Sequence, residues 1–152
     1  MAKATITVNK NLNRIIMIRH YALTVGPFPR GFHLITQPVL HAVQHWPAEG
    51  MLQVFIQHTS AGICINENAD ATVRMDFELY FNRMVPENIP GLQHDIEGPD
   101  DMPAHIKSVI AGSTIQIPIV SGKPALGTWQ GIFLCEFRNR ARKRDLIISI
   151  MD

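Results

Sequence analysis

The last third of the chain constrains the fold most. Residues 113–120, 129–137 and 146–151 are three runs rich in Ile, Val, Leu and Phe, and the turn sequence Ser121-Gly122-Lys123-Pro124 cuts the first from the others. β-Branched and aromatic side chains suit a pleated, half-buried surface, so this region reads as strands throughout. Upstream, residues 14–25 carry the same character until Gly26-Pro27-Phe28-Pro29-Arg30-Gly31 breaks them, and residues 51–57 and 63–65 add two more strands. Residues 4–8 alternate like a strand but run into the polar stretch 9–13. Residues 1–13 are therefore read as an N-terminal extension and 14–152 as a single domain.

Helical periodicity is confined to three segments. Thr36 is expected to cap a helix reaching Trp46, with Val39, Leu40 and Val43 on one face and Pro47 ending it. Asn66-Glu67-Asn68 is expected to cap a helix over residues 69–85, where Val73, Phe77, Tyr80, Phe81 and Met84 recur at spacings of three and four and predict one buried stripe. Arg74, Asp76, Glu78 and Arg83 fall off that stripe, and Pro86 closes the helix. Pro103 opens a shorter helix to Ala111, which Gly112 ends. The element order predicts an α+β fold: one compact domain with a mixed or largely antiparallel, sandwich-like sheet and two to three helices.

Charge narrows the function classes. With 14 Lys and Arg against 13 Asp and Glu, the net charge is +1, which supplies no surplus field for a phosphate backbone or an anionic membrane. Neither nucleic acid nor membrane is an expected partner. The chain lacks an apolar run of about 18 residues and begins without the pattern of a signal peptide, so the cytoplasm is the expected location. Cys64 and Cys135 lie inside apolar runs without zinc-ligand spacing and read as inert core thiols.

Three histidines fall at element edges beside polar residues: His58 in His-Thr-Ser-Ala, His94 in His-Asp-Ile-Glu-Gly and His105 in Ala-His-Ile-Lys. Strand ends and loops present functional groups, and three imidazoles suffice for a catalytic zinc-type site with an open position. Three unrelated capping or surface histidines would give the same pattern. His41 and His45, on the expected first helix, are expected to face solvent. Acidic residues concentrate between Glu67 and Asp101, where a hard cation such as magnesium could bridge to phosphate, though solvated helix faces explain most of them equally well. Asp95 follows His94 directly and is expected to orient a neighbouring ligand. The loop over residues 87–102 is long for a compact domain, which favours a functional role.

Gly127-Thr128-Trp129-Gln130-Gly131 sets a hydroxyl, an indole and an amide between small residues; it reads either as a ligand-approaching turn or as a hairpin with a core tryptophan. The run from Arg138 to Arg144 is the one basic cluster, suited to phosphate or diphosphate, or else a solvated hairpin loop.

Gly31-Phe32-His33-Leu34-Ile35-Thr36, His58-Thr59-Ser60-Ala61, Asn66-Glu67-Asn68, His94-Asp95 with Glu97-Gly98, the block from Asp101 to Ser108, and Gly127-Thr128-Trp129-Gln130-Gly131 together resemble the YjbQ family, the secondary thiamine-phosphate synthase type. The resemblance covers residues 14–151. It implies an α+β homotrimer and a pocket near the subunit junction lined by His58, His94 and His105. It also implies a weak thiamine-phosphate synthase activity, joining hydroxymethylpyrimidine diphosphate to thiazole phosphate with release of diphosphate.

On that resemblance His58, Glu67, Asp95 and Gln130 are the expected catalytic residues, and His58, His94 and His105 the expected ligands of a divalent metal, zinc or magnesium. Thr59, Ser60, Asn68, Thr128, Trp129, Arg142 and Arg144 are the expected contacts to a small phosphorylated substrate. No organic cofactor is expected. Where the family often has a Glu-x-Asp-Gly-Pro-Arg type of turn, this chain reads Glu136-Phe137-Arg138-Asn139-Arg140-Ala141-Arg142. Two alternatives use the same residues: metal-assisted hydrolysis of a phosphate ester, and a non-catalytic metal- or ligand-binding trimer.

Overall fold

The structure is a computed structural model and describes residues 17–152. The expected strand at 4–8, the loop at 9–13 and the first three residues of the expected strand 14–25 lie outside the described residues. The chain forms β1 (Ile18–Val25), β2 (Gly31–Leu34), α1 (Thr36–Ala42), β3 (Glu49–Ile56), β4 (Ala61–Glu67), α2 (Ala71–Met84), α3 (Asp101–Ala111), β5 (Thr114–Val120), β6 (Lys123–Pro124), β7 (Gln130–Glu136) and β8 (Arg144–Met151). The strands pair antiparallel throughout, in sheets ordered β1-β8-β3-β5-β6 and β2-β7-β4. The domain is therefore α+β with a sandwich at its centre.

Three layers follow from which faces are apolar. Leu52, Val54 and Ile56 of β3, Ile117 and Ile119 of β5, and Leu146, Ile148 and Ile150 of β8 turn one face of the large sheet onto Ile63, Ile132 and Leu134 of the small one. Each such fully buried side chain stabilises the fold by about 1.5–3 kcal/mol relative to exposure. The opposite face of the small sheet carries Phe32, Phe133 and Cys135, which pack with Phe137 against Phe77 and Phe81 of α2 and against Ala104 and Ala111 of α3. Strand β7 thus has core on both sides and is buried from Gly131 to Glu136, which is why it reads as a continuous apolar run instead of alternating.

Several local expectations are corrected. Thr36 caps nothing; its hydroxyl accepts the Ile132 N–H at 2.9 Å and ties α1 to β7, and the helix stops at Ala42. Asn66 and Glu67 belong to β4, and Asp70 caps α2 by accepting the Thr72 N–H at 2.8 Å. No α2 residue is fully buried, and Tyr80 is 66% exposed. Glu78 turns inward to pair with Arg30 at 2.8 Å. The segment ending at Gly31, read as a break, continues into the short strand β2. His41 and His45 are exposed, as expected.

Cys64 and Cys135 sit on one face of the β4–β7 pair with their Sγ atoms 3.5 Å apart as free thiols. Hydrogen bonding to Cys64 and burial raise the Cys135 thiol far above its ordinary pKa, so it stays protonated. Among the described residues no helix is long and apolar enough to cross a membrane.

Candidate phosphate and metal site

The chemistry gathers at one end of the β4–β7 pair. The register sets Ala61 opposite Glu136 at this end and Glu67 opposite Gln130 at the other, six residues or roughly 20 Å away. His58, Thr59 and Ser60 lead into β4, the loop after β7 carries Arg138, Arg140, Arg142 and Lys143, and Arg144 starts β8. His58, Ser60, Arg138, Arg140, Arg142, Lys143 and Arg144, with Glu97 as the one carboxylate, line an open cleft of about 570 Å³.

Arg144 is fixed from below. Its Nε and Nη2 each donate to the Glu136 carboxylate at 2.7 Å, and both side chains are nearly inaccessible. Glu136 follows Ile132 and Leu134 on the inter-sheet face of β7, so this pair bridges the two sheets at the end of their apolar core. The third guanidinium nitrogen, Nη1, points to the cleft and lies 3.4 Å from His58 Nδ1. His58 Nε2 accepts the backbone N–H of Asp145 at 2.8 Å. Burial, reinforced by the Arg144 charge, holds the His58 pKa below its ordinary value, which favours neutral imidazole.

Beside the cleft, His94, Asp101 and His105 bring one ligand atom each to within 4.8 Å of one another. Asp101 and His105 are four residues apart on α3 and share a face of it. His105 Nδ1 donates to the Thr59 carbonyl at 2.9 Å, leaving Nε2 with its lone pair 3.6 Å from Asp101 Oδ1. Asp101 Oδ2 is buried and accepts no hydrogen bond, although His94 Nε2 lies 2.9 Å away. Arg138 Nη1 pairs with Asp101 Oδ1, so the oxygen without a donor is Oδ2, on the His94 side. An imidazole anchored through Nδ1–H to a backbone carbonyl, beside a carboxylate with one such oxygen, is an arrangement metal ligands adopt. The residues present therefore fit a divalent cation.

Arg138 supports this cluster. Its guanidinium pairs with Asp101, donates from Nε to Asp100 Oδ2 at 2.9 Å and from Nη2 to the Glu97 carbonyl at 2.9 Å. Burial works to raise the Asp100 carboxyl, but the Asn139 N–H and Arg138 outweigh it and hold it below the usual carboxylate range.

The remaining expected residues divide. Ser60, Arg142 and Arg144 lie in the cleft, and Thr59 meets the cluster through its carbonyl. His58 stands in the cleft and also lines a neighbouring depression with His105, but it is not one of the three residues whose ligand atoms converge. Asp95 is exposed, and its carbonyl accepts the Gly98 N–H; Asp101, not Asp95, meets His94. Glu67, Trp129 and Gln130 line a separate depression at the far end of β4 and β7, with Asn68 donating its N–H to the Trp129 carbonyl at 2.8 Å.

There Gln130 accepts the Gly127 N–H through its side chain at 2.8 Å, closing the turn that holds Thr128. Trp129 is 63% exposed and forms no part of the core. Sequence reasoning passed over Asp101 and Glu136 as site residues. The spacing of Asp101 to His105, one helical turn, was the available signal for the first; Glu136 had none.

The comparisons with known proteins agree with one another. A family model described as UPF0047 protein YjbQ-like matches residues 22–152. UPF0047 protein YjbQ of Escherichia coli O157:H7 is 44% identical over 130 residues, covering 84% of this chain and 94% of that one. A UPF0047 protein of Synechocystis sp. is 40% identical over 129 residues, covering 84% and 88%. The crystal structure of a YjbQ/UPF0047 family protein from Clostridium acetobutylicum matches with a TM-score of 0.70 at 37% identity, covering 87% of this chain and 98% of that one. The chain belongs to the UPF0047 protein YjbQ-like family.

Proposed function

We propose that the chain is an enzyme that binds a small phosphorylated substrate in the basic cleft and transfers an organic group as diphosphate departs, in the manner of a weak thiamine-phosphate synthase. The observation that carries this reading is the convergence of Arg138, Arg140, Arg142, Lys143 and Arg144 on one cleft, where Arg138 and Arg144 are held by carboxylates and Arg140, Arg142 and Lys143 have none among the described residues, on a chain whose net charge is only +1. Such a concentration of cations suits the oxygens of a diphosphate.

In the synthase reaction the thiazole nitrogen supplies the electron pair, a C–N bond forms at the benzylic-type carbon, and the C–O bond to diphosphate breaks. The nucleophile needs no activation, so the work left to the protein is positioning and stabilising the negative charge that develops on the leaving group. Arg144, clamped by Glu136, offers a fixed donor, and exposed Arg142 and Lys143 close over the outer oxygens. His94, Asp101 and His105 would hold a divalent metal, which would add positive charge for phosphate oxygens. In the homotrimer that the family resemblance implies, the far end carrying Glu67, Thr128, Trp129 and Gln130 would serve a neighbouring subunit's cleft.

A second reading, metal-assisted hydrolysis of a phosphate ester, is favoured by the two-histidine, one-carboxylate set, which leaves positions open for water. Both are tested by giving the purified protein either hydroxymethylpyrimidine diphosphate with thiazole phosphate, or simple phosphate esters, with and without chelator. Thiamine phosphate that disappears with chelator and in Arg142→Ala supports the synthase; ester cleavage without thiamine phosphate supports the hydrolase. Neither product, with zinc and diphosphate still bound, would leave a binding protein.

A further inference from the structure

The cleft contains two donors that face each other with nothing to receive them. The Asp145 backbone N–H can only donate, so the His58 Nε2 it reaches at 2.8 Å must carry a lone pair. In a neutral imidazole the single proton is then on Nδ1. That Nδ1–H looks at Arg144 Nη1, 3.4 Å away, and a guanidinium nitrogen also can only donate. The contact between them is therefore not a hydrogen bond. It is a pair of N–H groups held side by side at the mouth of a cationic cleft.

Both members are fixed independently of any ligand. Arg144 cannot swing away, because its Nε and Nη2 are spent on the buried Glu136 carboxylate. His58 cannot rotate without giving up the Asp145 N–H. The low His58 pKa, caused first by burial and then by the Arg144 charge, fits the same picture, since a second ring proton would confront the Asp145 N–H. Two rigid, convergent donors that cost no reorganisation make the arrangement that stabilises an oxyanion.

We propose that His58, locked as its neutral Nδ1–H tautomer by the Asp145 backbone, forms with Arg144 Nη1 a two-donor subsite for one phosphate oxygen of a diphosphate. His58 is on this account a hydrogen-bond donor, neither a metal ligand nor a proton carrier. The inference rests on the cleft being a phosphate site and adds to it the role of one atom.

The test combines side-chain amides with nitrogen NMR on the full chain. An Asn amide places its nitrogen near the position of Nδ1, and a Gln amide places its nitrogen near Nε2. With inorganic diphosphate as the calorimetric probe at fixed salt, His58→Asn is expected to bind within about threefold of wild type, while His58→Gln and His58→Ala lose about ten- to a hundredfold. The histidine nitrogen spectrum of the unsubstituted protein is expected to show neutral His58 protonated on Nδ1 and not on Nε2, and that measurement does not depend on any variant folding.

Binding by wild type with the opposite tautomer or an imidazolium at His58, or with His58→Asn as weak as His58→Gln, overturns the subsite alone. Wild type that fails to bind diphosphate overturns the reading of the cleft and the subsite with it.

Discussion

Replacing Arg144 with Met removes one half of an ion pair that the sandwich has closed over. The Glu136 side chain is 0% exposed and that of Arg144 7%, so after Arg144→Met the carboxylate keeps one donor, the Arg138 backbone N–H at 3.0 Å, and no countercharge. Breaking a buried pair from one side costs about 3–5 kcal/mol, because the partner stays desolvated and uncompensated. For a domain of about 150 residues each kcal/mol moves Tm by about 2–4 °C, which gives an expected drop of about 6–20 °C. Removing both charges, as in Glu136→Leu with Arg144→Met, leaves an apolar contact between sheets already packed with Ile and Leu, and stability is expected to return to within about 2 kcal/mol of wild type.

Urea and thermal unfolding at one fixed protein concentration measure both variants together with Glu136→Leu, closing a double-mutant cycle. A cost below about 1 kcal/mol for Arg144→Met would refute the reasoning, since that is the range of a solvent-exposed pair. The double variant also separates folding from function, because it should be well folded yet weak in diphosphate binding.

Three further outcomes follow from the packing and electrostatics. Gly62→Ala would set a methyl 2.6 Å from Ala111 Cβ and 3.1 Å from the Gly112 carbonyl; it is expected to cost about 1–3 kcal/mol in urea unfolding, part of it recovered by Ala111→Gly. Lys107 is 1% exposed, and burial, then the Arg30 charge, bring its pKa from 10.5 to about 8 against the pull of Glu78 and Glu87. Between pH 8 and 10.5 the unfolded chain keeps a proton that the folded chain has released, so stability gains ~3 kcal/mol from this group as pH rises through that window. A slope of unfolding free energy against pH that is identical in wild type and Lys107→Met would contradict this. Asp101→Asn keeps the side-chain shape but removes the charge shared by His94, His105 and Arg138; zinc affinity measured by calorimetry is expected to fall tenfold or more, and an unchanged affinity would remove Asp101 from the metal set.

What the sequence exposed was whatever a short window can encode. The C-terminal strands, the turn at Ser121 and Gly122 and the stop of α3 at Gly112 depend on residues within a few positions of one another, and they stand where expected. α2 shows the limit. Its spacing of Val73, Phe77 and Phe81 was legible, yet Tyr80 and Met84 in the same pattern stay exposed, because the helix packs only its Phe77 and Phe81 edge onto the Phe32 and Phe137 cluster. Periodicity tells which residues share a face; how wide a strip the neighbouring layer covers depends on tertiary packing.

The site divides along the same line. His58, His94 and His105 were visible because an imidazole at an element edge is conspicuous whatever it meets. Asp101 was hidden among the acidic residues of a loop, and its identity as the centre of the cluster arises only when α3 docks beside the loop bearing His94 and the loop bearing Arg138. Glu136 lies at the end of an apolar strand, and nothing in its sequence neighbourhood marks it as a site residue. It becomes the base of the cleft because β7 is covered on both faces, so that the last inward position of the strand has no exit to water and must find its countercharge on β8. Among the described residues the carboxylate–guanidinium pair with both partners buried therefore sits where the apolar core between the sheets runs out. That placement lets one arginine close the core with two of its nitrogens and face the cleft with the third.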